Sequence, residues 1–229
     1  MCQVTPWEFL LATNHNEESI KMNRTVRLDR SRRYLAWAMI LFIPTMLSAS
    51  ESVLGYELVG QVLNVSAFQS LQYGYLNSVS GLDTVTTGSS VSETTALLSF
   101  YNDTTTQQVI NNGPIRVIDR TGTSTIYFNL SGGGDFNNPD SFRSGKPIQT
   151  CSLRHQVVID TSTGYFTATF EMTVKSAQLF QVNGKAYRLG VPGKIYRWSV
   201  YGKLTQQGPP SAQIAGFASG IRAELLETE

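Results

Sequence analysis

The sequence predicts an all-β fold for residues 51–229, an antiparallel up-and-down β-barrel, with a two-sheet β-sandwich as the alternative. Apolar and polar side chains alternate along several runs of this part of the chain. Turn-forming residues separate the runs, and no convincing helical repeat is present. The composition agrees, being rich in Thr, Ser, Val, Tyr, Phe, Gly and Asn, which form strands and turns.

Taken in order, the expected strands are 56–68, 70–80, 94–101, 105–111, 114–120, 123–131, 147–160, 165–180, 185–190, 194–206 and 211–225. The first three rest on strand-forming composition. Asn111-Asn112-Gly113-Pro114 marks the turn between the fourth and fifth. In the sixth, Ile126, Phe128 and Leu130 oppose Thr125, Tyr127 and Asn129. In the seventh, Cys151, Leu153, His155, Val157 and Ile159 share one mostly apolar face. Thr161-Ser162-Thr163-Gly164 closes a hairpin into the eighth, where the alternation is clearest. There Phe166, Ala168, Phe170, Met172 and Val174 oppose Thr167, Thr169, Glu171, Thr173 and Lys175. Asn183-Gly184 is a two-residue hairpin signal, since both central positions need positive φ. In the tenth strand Tyr196, Trp198, Val200 and Leu204 oppose Arg197, Ser199, Tyr201 and Lys203, and Gly208-Pro209-Pro210 ends it. Long, consecutive, hairpin-linked strands with one dry face favour a barrel, whose closure removes exposed edges.

Ahead of this part lies a segment with the order of a secretory signal peptide, residues 22–50. Arg24, Arg27, Arg30, Arg32 and Arg33 precede an apolar run from Tyr34 to Leu47, and Ser48-Ala49-Ser50 supplies small residues for cleavage. The run is shorter than the roughly twenty residues a membrane span needs. Ser31-Arg32-Arg33-Tyr34-Leu35 resembles the twin-arginine export signal, except that Ala36 stands where a larger apolar residue is usual. The expectation is a secreted or periplasmic protein that starts near Glu51 and meets the membrane only through this segment before cleavage. An uncleaved signal anchor is the alternative. Residues 1–21 read as a leader or an over-extended start.

Residues 51–229 carry 12 Lys plus Arg and 13 Asp plus Glu, a formal charge of 12 − 13 = −1. That balance gives no electrostatic footprint for nucleic acid and no polybasic lipid patch. Cys151 is the only cysteine there, so no intrachain disulfide is expected within it.

Chemistry is sparsely signposted. Cys151 and His155 face the same way, but four residues along a strand span about 13 Å. Proton transfer needs roughly 3 Å, so they form no nucleophile–base pair. No G-x-S-x-G elbow occurs in residues 51–229, and one His with one Cys makes no zinc cluster. Asp135, Asn137 and Asp140 follow Gly132-Gly133-Gly134 in an oxygen-rich loop that fails the calcium-loop template. Neither a metal nor another cofactor is expected. Arg116, Arg120, Arg143, Arg154, Arg188 and Arg197 read chiefly as solvated side chains, Arg154 most clearly. Asn64-Val65-Ser66, Asn102-Asp103-Thr104 and Asn129-Leu130-Ser131 match the N-glycosylation pattern.

The functional expectation is a non-catalytic barrel that binds a small, mainly apolar ligand or a partner. His155, Phe166, Phe170, Met172, Tyr196 and Trp198 are the inward-facing candidates for ligand contact. Two alternatives stand beside it: a cofactor-free isomerase or cyclase with His155 as acid or base, and a structural or adhesive surface protein.

Overall fold

The alternation read from the sequence becomes the wall of a barrel. A computed structural model describes residues 55–226; residues 1–54, with the leader and signal-segment assignments, and residues 227–229 lie outside the described part. The strands are β1 (Gly55–Asn64), β2 (Gln69–Val79), β3 (Leu98–Asn112), β4 (Ile115–Phe128), β5 (Lys146–Asp160), β6 (Tyr165–Ala177), β7 (Leu179–Val182), β8 (Lys185–Leu189), β9 (Ile195–Leu204), β10 (Ala212–Ser219) and β11 (Ala223–Leu226). Eight of them close an antiparallel barrel in the order β1-β2-β3-β4-β5-β6-β9-β10, with β10 pairing back onto β1 from Gly55↔Ser219 to Val62↔Ala212. Closure rules out the sandwich. β7, β8 and β11 form a separate three-stranded sheet.

The strand faces follow the expected parity. Phe166, Ala168, Phe170, Met172 and Val174 are buried, while Thr167, Thr169 and Glu171 are exposed. β5 and β9 repeat this, with His155, Tyr196, Trp198 and Val200 turned inward and Arg154 and Arg197 outward. At the barrel's waist Trp198 meets Phe100 edge-on at 5.2 Å and Phe170 at 5.4 Å between ring centroids. Phe100 reaches across because Gly60 and Gly74 leave room: a Cβ on Gly60 would come within 2.7 Å of the Phe100 ring. The outer face is mostly polar, the inverse of a membrane barrel's apolar girdle.

Several boundaries differ from the sequence reading. The expected breaks near 102–104 and 121–122 are absent, and β3 and β4 run straight through them. Turn-prone residues there are held by neighbours on both sides: Asn102 pairs with Gln72 and Ser124, and Gly122 with Thr104 and Leu153. Gly122 is required by packing rather than by a turn, since a Cβ would collide with the Asp103 carbonyl. Residues 165–180 and 211–225 each split, because β7 and β11 leave the barrel to pair with β8. Leu130, expected on the dry face, lies beyond the end of β4 and is exposed. The Asn183-Gly184 turn is as expected, with φ of 51° and 76°.

The two ends of the barrel are unlike. Short turns at 65–68, 113–114, 161–164 and 205–211 ring one end. Longer connections, 80–97, 129–145 and 178–194, gather at the other, where Leu98, Phe128, Ile148 and Leu189 are buried and Phe180 stacks near Phe128 and Tyr187. The first end is therefore open and the second plugged. β3 and β4 project at the open end: β3 pairs with β2 only up to Thr105 but with β4 up to Asn112.

The glycine-rich loop folds down the outside of the wall. Phe142, in a 3-10 turn spanning Pro139–Arg143, is buried against Phe136 and Tyr73 at 5.0 and 5.5 Å, and Ser99 donates to its carbonyl at 2.6 Å. The loop's oxygens are consumed locally. Asp135 Oδ1 accepts from the Asn137 backbone and side-chain amides at 2.9 and 3.1 Å, and Asp140 pairs with Arg143 at 3.1 Å. Among the described residues no group of three His, Cys, Asp or Glu is placed to hold a metal ion.

Candidate functional site

The interior holds two sets of polar side chains, and they are treated differently. Toward the plugged end the groups form a closed chain. Trp198 Nε1 donates to the Tyr56 hydroxyl at 2.6 Å, Tyr56 to Tyr196 at 3.2 Å, and Tyr196 to Gln149 Oε1 at 2.8 Å. Gln149 Nε2 in turn donates to the Leu189 carbonyl at 2.8 Å, which ties the barrel to the small sheet. Burial pushes the Tyr56 and Tyr196 hydroxyls well above their ordinary pKa, so both stay neutral donors. Cys151 sits beside this chain, 3.5 Å from Gln149 Oε1 and 3.6 Å from the Tyr196 hydroxyl, and burial pushes its thiol up to about 11. A thiol held protonated in that way is no nucleophile at neutral pH.

Toward the open end the second set lacks partners. Inward parity places Gln72 on β2, Asn102 on β3, Ser124 on β4 and His155 on β5, all buried. Gln72 uses its amide nitrogen on Ser70 and Thr104. Its Oε1, both amide atoms of Asn102, the Ser124 hydroxyl and both ring nitrogens of His155, six atoms, have no hydrogen-bond partner among the described residues. Burial of Asn102 also removes the Asn102-Asp103-Thr104 motif as a glycosylation site of the folded chain.

A cavity of about 60 Å³ lies against Gln72 and His155 of this set, whereas Asn102 and Ser124 do not line it. Gln72, Arg120 and His155 give it one polar side; Val157, Ile159, Phe166, Ala168, Phe170, Val200 and Ile214 are among the residues that make the rest apolar. It reaches the open rim at Asn64 and Leu204, both exposed. His155 is 2% exposed and stands edge-on to Phe170 at 4.4 Å. Burial, and after it the nearby Arg120 guanidinium, push its pKa down to about 3, so the imidazole is neutral at physiological pH. One ring nitrogen then donates and the other accepts.

Arg120 faces His155 directly across the β4–β5 ladder. Its Nε donates to Thr106 Oγ1 at 3.2 Å, and burial lowers its pKa. The ion pairs among the described residues join other side chains. The five carboxylates on barrel strands, Glu57, Asp103, Asp119, Asp160 and Glu171, all occupy outward parity. The open half of the interior therefore carries one positive charge and no negative one among the described residues.

Of the six expected ligand contacts, His155, Phe166 and Phe170 border the cavity. Met172, Tyr196 and Trp198 face inward too, but are packed nearer the plug, away from it. The sequence reading missed Gln72 and placed Arg120 among the solvated arginines. The fold and this cavity together define an eight-stranded antiparallel β-barrel, plugged at one end and holding at the other a small, mostly apolar pocket that is polar on one side. Comparison with protein-family models, curated proteins and solved structures found no match in any of the three.

Proposed function

We propose that the protein is an exported barrel that binds a small molecule in its open-end cavity without transforming it. The observation that carries this reading is the pair of residues Gln72 and His155, whose buried polar atoms lack partners among the described residues, in the wall of an otherwise mostly apolar cavity. Leaving a buried polar group without a partner costs about 1–3 kcal/mol, so such groups normally mark places where water or a ligand supplies the bond. The size limits the ligand. Pockets for drug-sized molecules run from roughly 300 to 1,000 Å³. A cavity of about 60 Å³ suits a small molecule, or one end of a longer molecule whose remainder leaves by the rim. The basic and apolar order of residues 22–50 supports export, and N-terminal sequencing of the extracellular form would test it, with a start near residue 51 expected.

The test of binding is calorimetric titration of the full chain with a panel of small apolar and amphipathic compounds, alongside NMR of the Trp198 indole, which packs against Phe170 beneath the cavity. Saturable heat with a shifted Trp198 signal supports the reading; neither with any compound overturns it.

An enzymatic reading has one observation in its favour, a neutral imidazole beside a cavity. Its acidity weighs against it. A general base works best with a pKa near the operating pH. His155 at about 3 is a feeble base at pH 7, and no inward carboxylate is placed to raise it. Replacing His155 with Gln separates the two: a carrier retains binding of the apolar part of its ligand, whereas an enzyme loses turnover with its fold intact.

A further inference from the structure

The cavity's charge and its layout say more about the ligand than its size does, and the step rests on the binding reading above. We infer that the cavity takes a small monocarboxylate with an unbranched apolar tail, its head held between Arg120 and His155 and its tail directed to the open rim. Arg120 is partly buried on the inner face, and among the described residues its only side-chain bond goes to a neutral threonine. Every carboxylate on a barrel strand points the other way. A guanidinium withdrawn from water calls for an anion, and a carboxylate matches its two parallel N–H groups. His155, nine-tenths or more buried, turns a free N–H into the same cavity and can donate to the same head.

The strand register orients the molecule. Arg120 and His155 share one level of the β4–β5 ladder. Ile118, Val157, Ile159 and Phe166 follow on their strands toward the turns of the open end, and all four are apolar and line the cavity. A head at Arg120 thus has only apolar wall between itself and the rim along these strands. This also reconciles a small enclosed volume with a longer ligand, since the tail leaves through the mouth. Arg116, on the same face of β4 as Arg120 and nearer the turn, is exposed and adds positive charge at the entrance.

The experiment is calorimetric titration of the full, unmutated chain with hexanoate, 1-hexanol and hexylamine at low salt. Hexanoate is expected to bind at least tenfold more tightly than hexanol, and hexylamine not at all. Arg120→Gln, checked for an unchanged circular dichroism spectrum, is expected to erase the preference for the acid; Arg120→Lys should keep part of it. Equal affinity for hexanoate and hexanol would overturn the assignment of the head group while leaving small-molecule binding intact. A preference for the amine would overturn it outright. If none of the three binds, the carboxylate assignment falls, and the wider compound panel then decides separately whether the cavity binds anything.

Discussion

His155 gives the most direct handle on the cavity, because its burial couples folding to pH. Unfolded, the imidazole titrates near 6.5; folded, it is held down to about 3 by burial and, second, by Arg120. Between these values the unfolded chain binds a proton that the folded chain does not, so stability rises with pH across the window. The contribution is fully present above pH 6.5 and is lost progressively as pH falls toward 3. Integrated from pH 7 to pH 4.5, the loss is on the order of 2–3 kcal/mol, a large share of the 5–15 kcal/mol that a domain typically has. His155→Gln keeps a polar side chain of similar reach but cannot titrate. The assay is urea unfolding of both full-length chains at pH 7 and 4.5. The unmutated chain is expected to lose roughly 2–3 kcal/mol more than the variant over that interval. Equal acid sensitivity would refute the argument, for it would mean that His155 reaches solvent or finds a carboxylate in the folded state.

Other parts of the interior make separate predictions. Ala168 lines the cavity, so Ala168→Val should fill part of it: ligand binding falls at least tenfold while the urea midpoint shifts little, because two buried carbons worth about 0.8 kcal/mol each offset the local strain. Tyr56→Phe deletes the acceptor of the Trp198 indole and the donor to Tyr196, and should cost about 1–3 kcal/mol in chemical denaturation. Cys151, buried with its thiol pushed up to about 11, should resist iodoacetamide at pH 8 in the folded chain and react once urea unfolds it, as peptide mass spectrometry would record.

The sequence exposes its barrel where both faces are chemically pure. From Phe166 to Lys175 each inward residue is apolar and each outward one polar, and both the strand and its orientation can be read directly. The polar side of the cavity is built where that purity fails. Gln72 in the cavity wall, and its ladder neighbours Asn102 and Ser124, are polar yet face inward, so alternation alone assigns them to the outside. Around Arg120 the pattern carries no information, since Val117 and Ile118 fall on opposite faces and both are half-buried. The register shift between Thr106 and Gln108 then reverses the parity of β3 relative to β4, which one strand's sequence cannot reveal. The expected break at 121–122 hid the same residue: a strand ending at Arg120 has no orientation fixed by the inward run from Ser124 to Phe128. His155 was legible because its strand is apolar on one side throughout, from Cys151 to Ile159.

The contrast between the two polar sets bears on why the open end is a site at all. In the plugged half every step of the chain from Trp198 through Tyr56, Tyr196 and Gln149 to Leu189 is a made hydrogen bond, so its polar atoms cost little to bury. In the second set six atoms are buried without partners among the described residues. At about 1–3 kcal/mol each, a dry interior there would forfeit roughly 6–18 kcal/mol, as much as the whole stability of an ordinary domain. Of those atoms, Gln72 Oε1 and the His155 ring nitrogens belong to residues that line the cavity and can bond there to water or to a ligand, and about 60 Å³ has room for roughly two waters at about 30 Å³ each. Nature builds solid barrel cores from Leu, Ile, Val and Phe when filling is all that is required, as the plugged half does here with Leu98, Phe128 and Ile148. The Gln72 amide and the His155 imidazole on one side of a small, otherwise mostly apolar space favour a hydrated pocket, and a ligand that reproduces the bonds of the water it displaces enters at little cost in hydrogen bonding. On that argument, replacing Gln72 by Leu, which keeps the side chain's reach but removes the unpartnered Oε1 at the cavity, should weaken binding at least tenfold in calorimetric titration. A variant that binds as before would place the ligand elsewhere on the molecule.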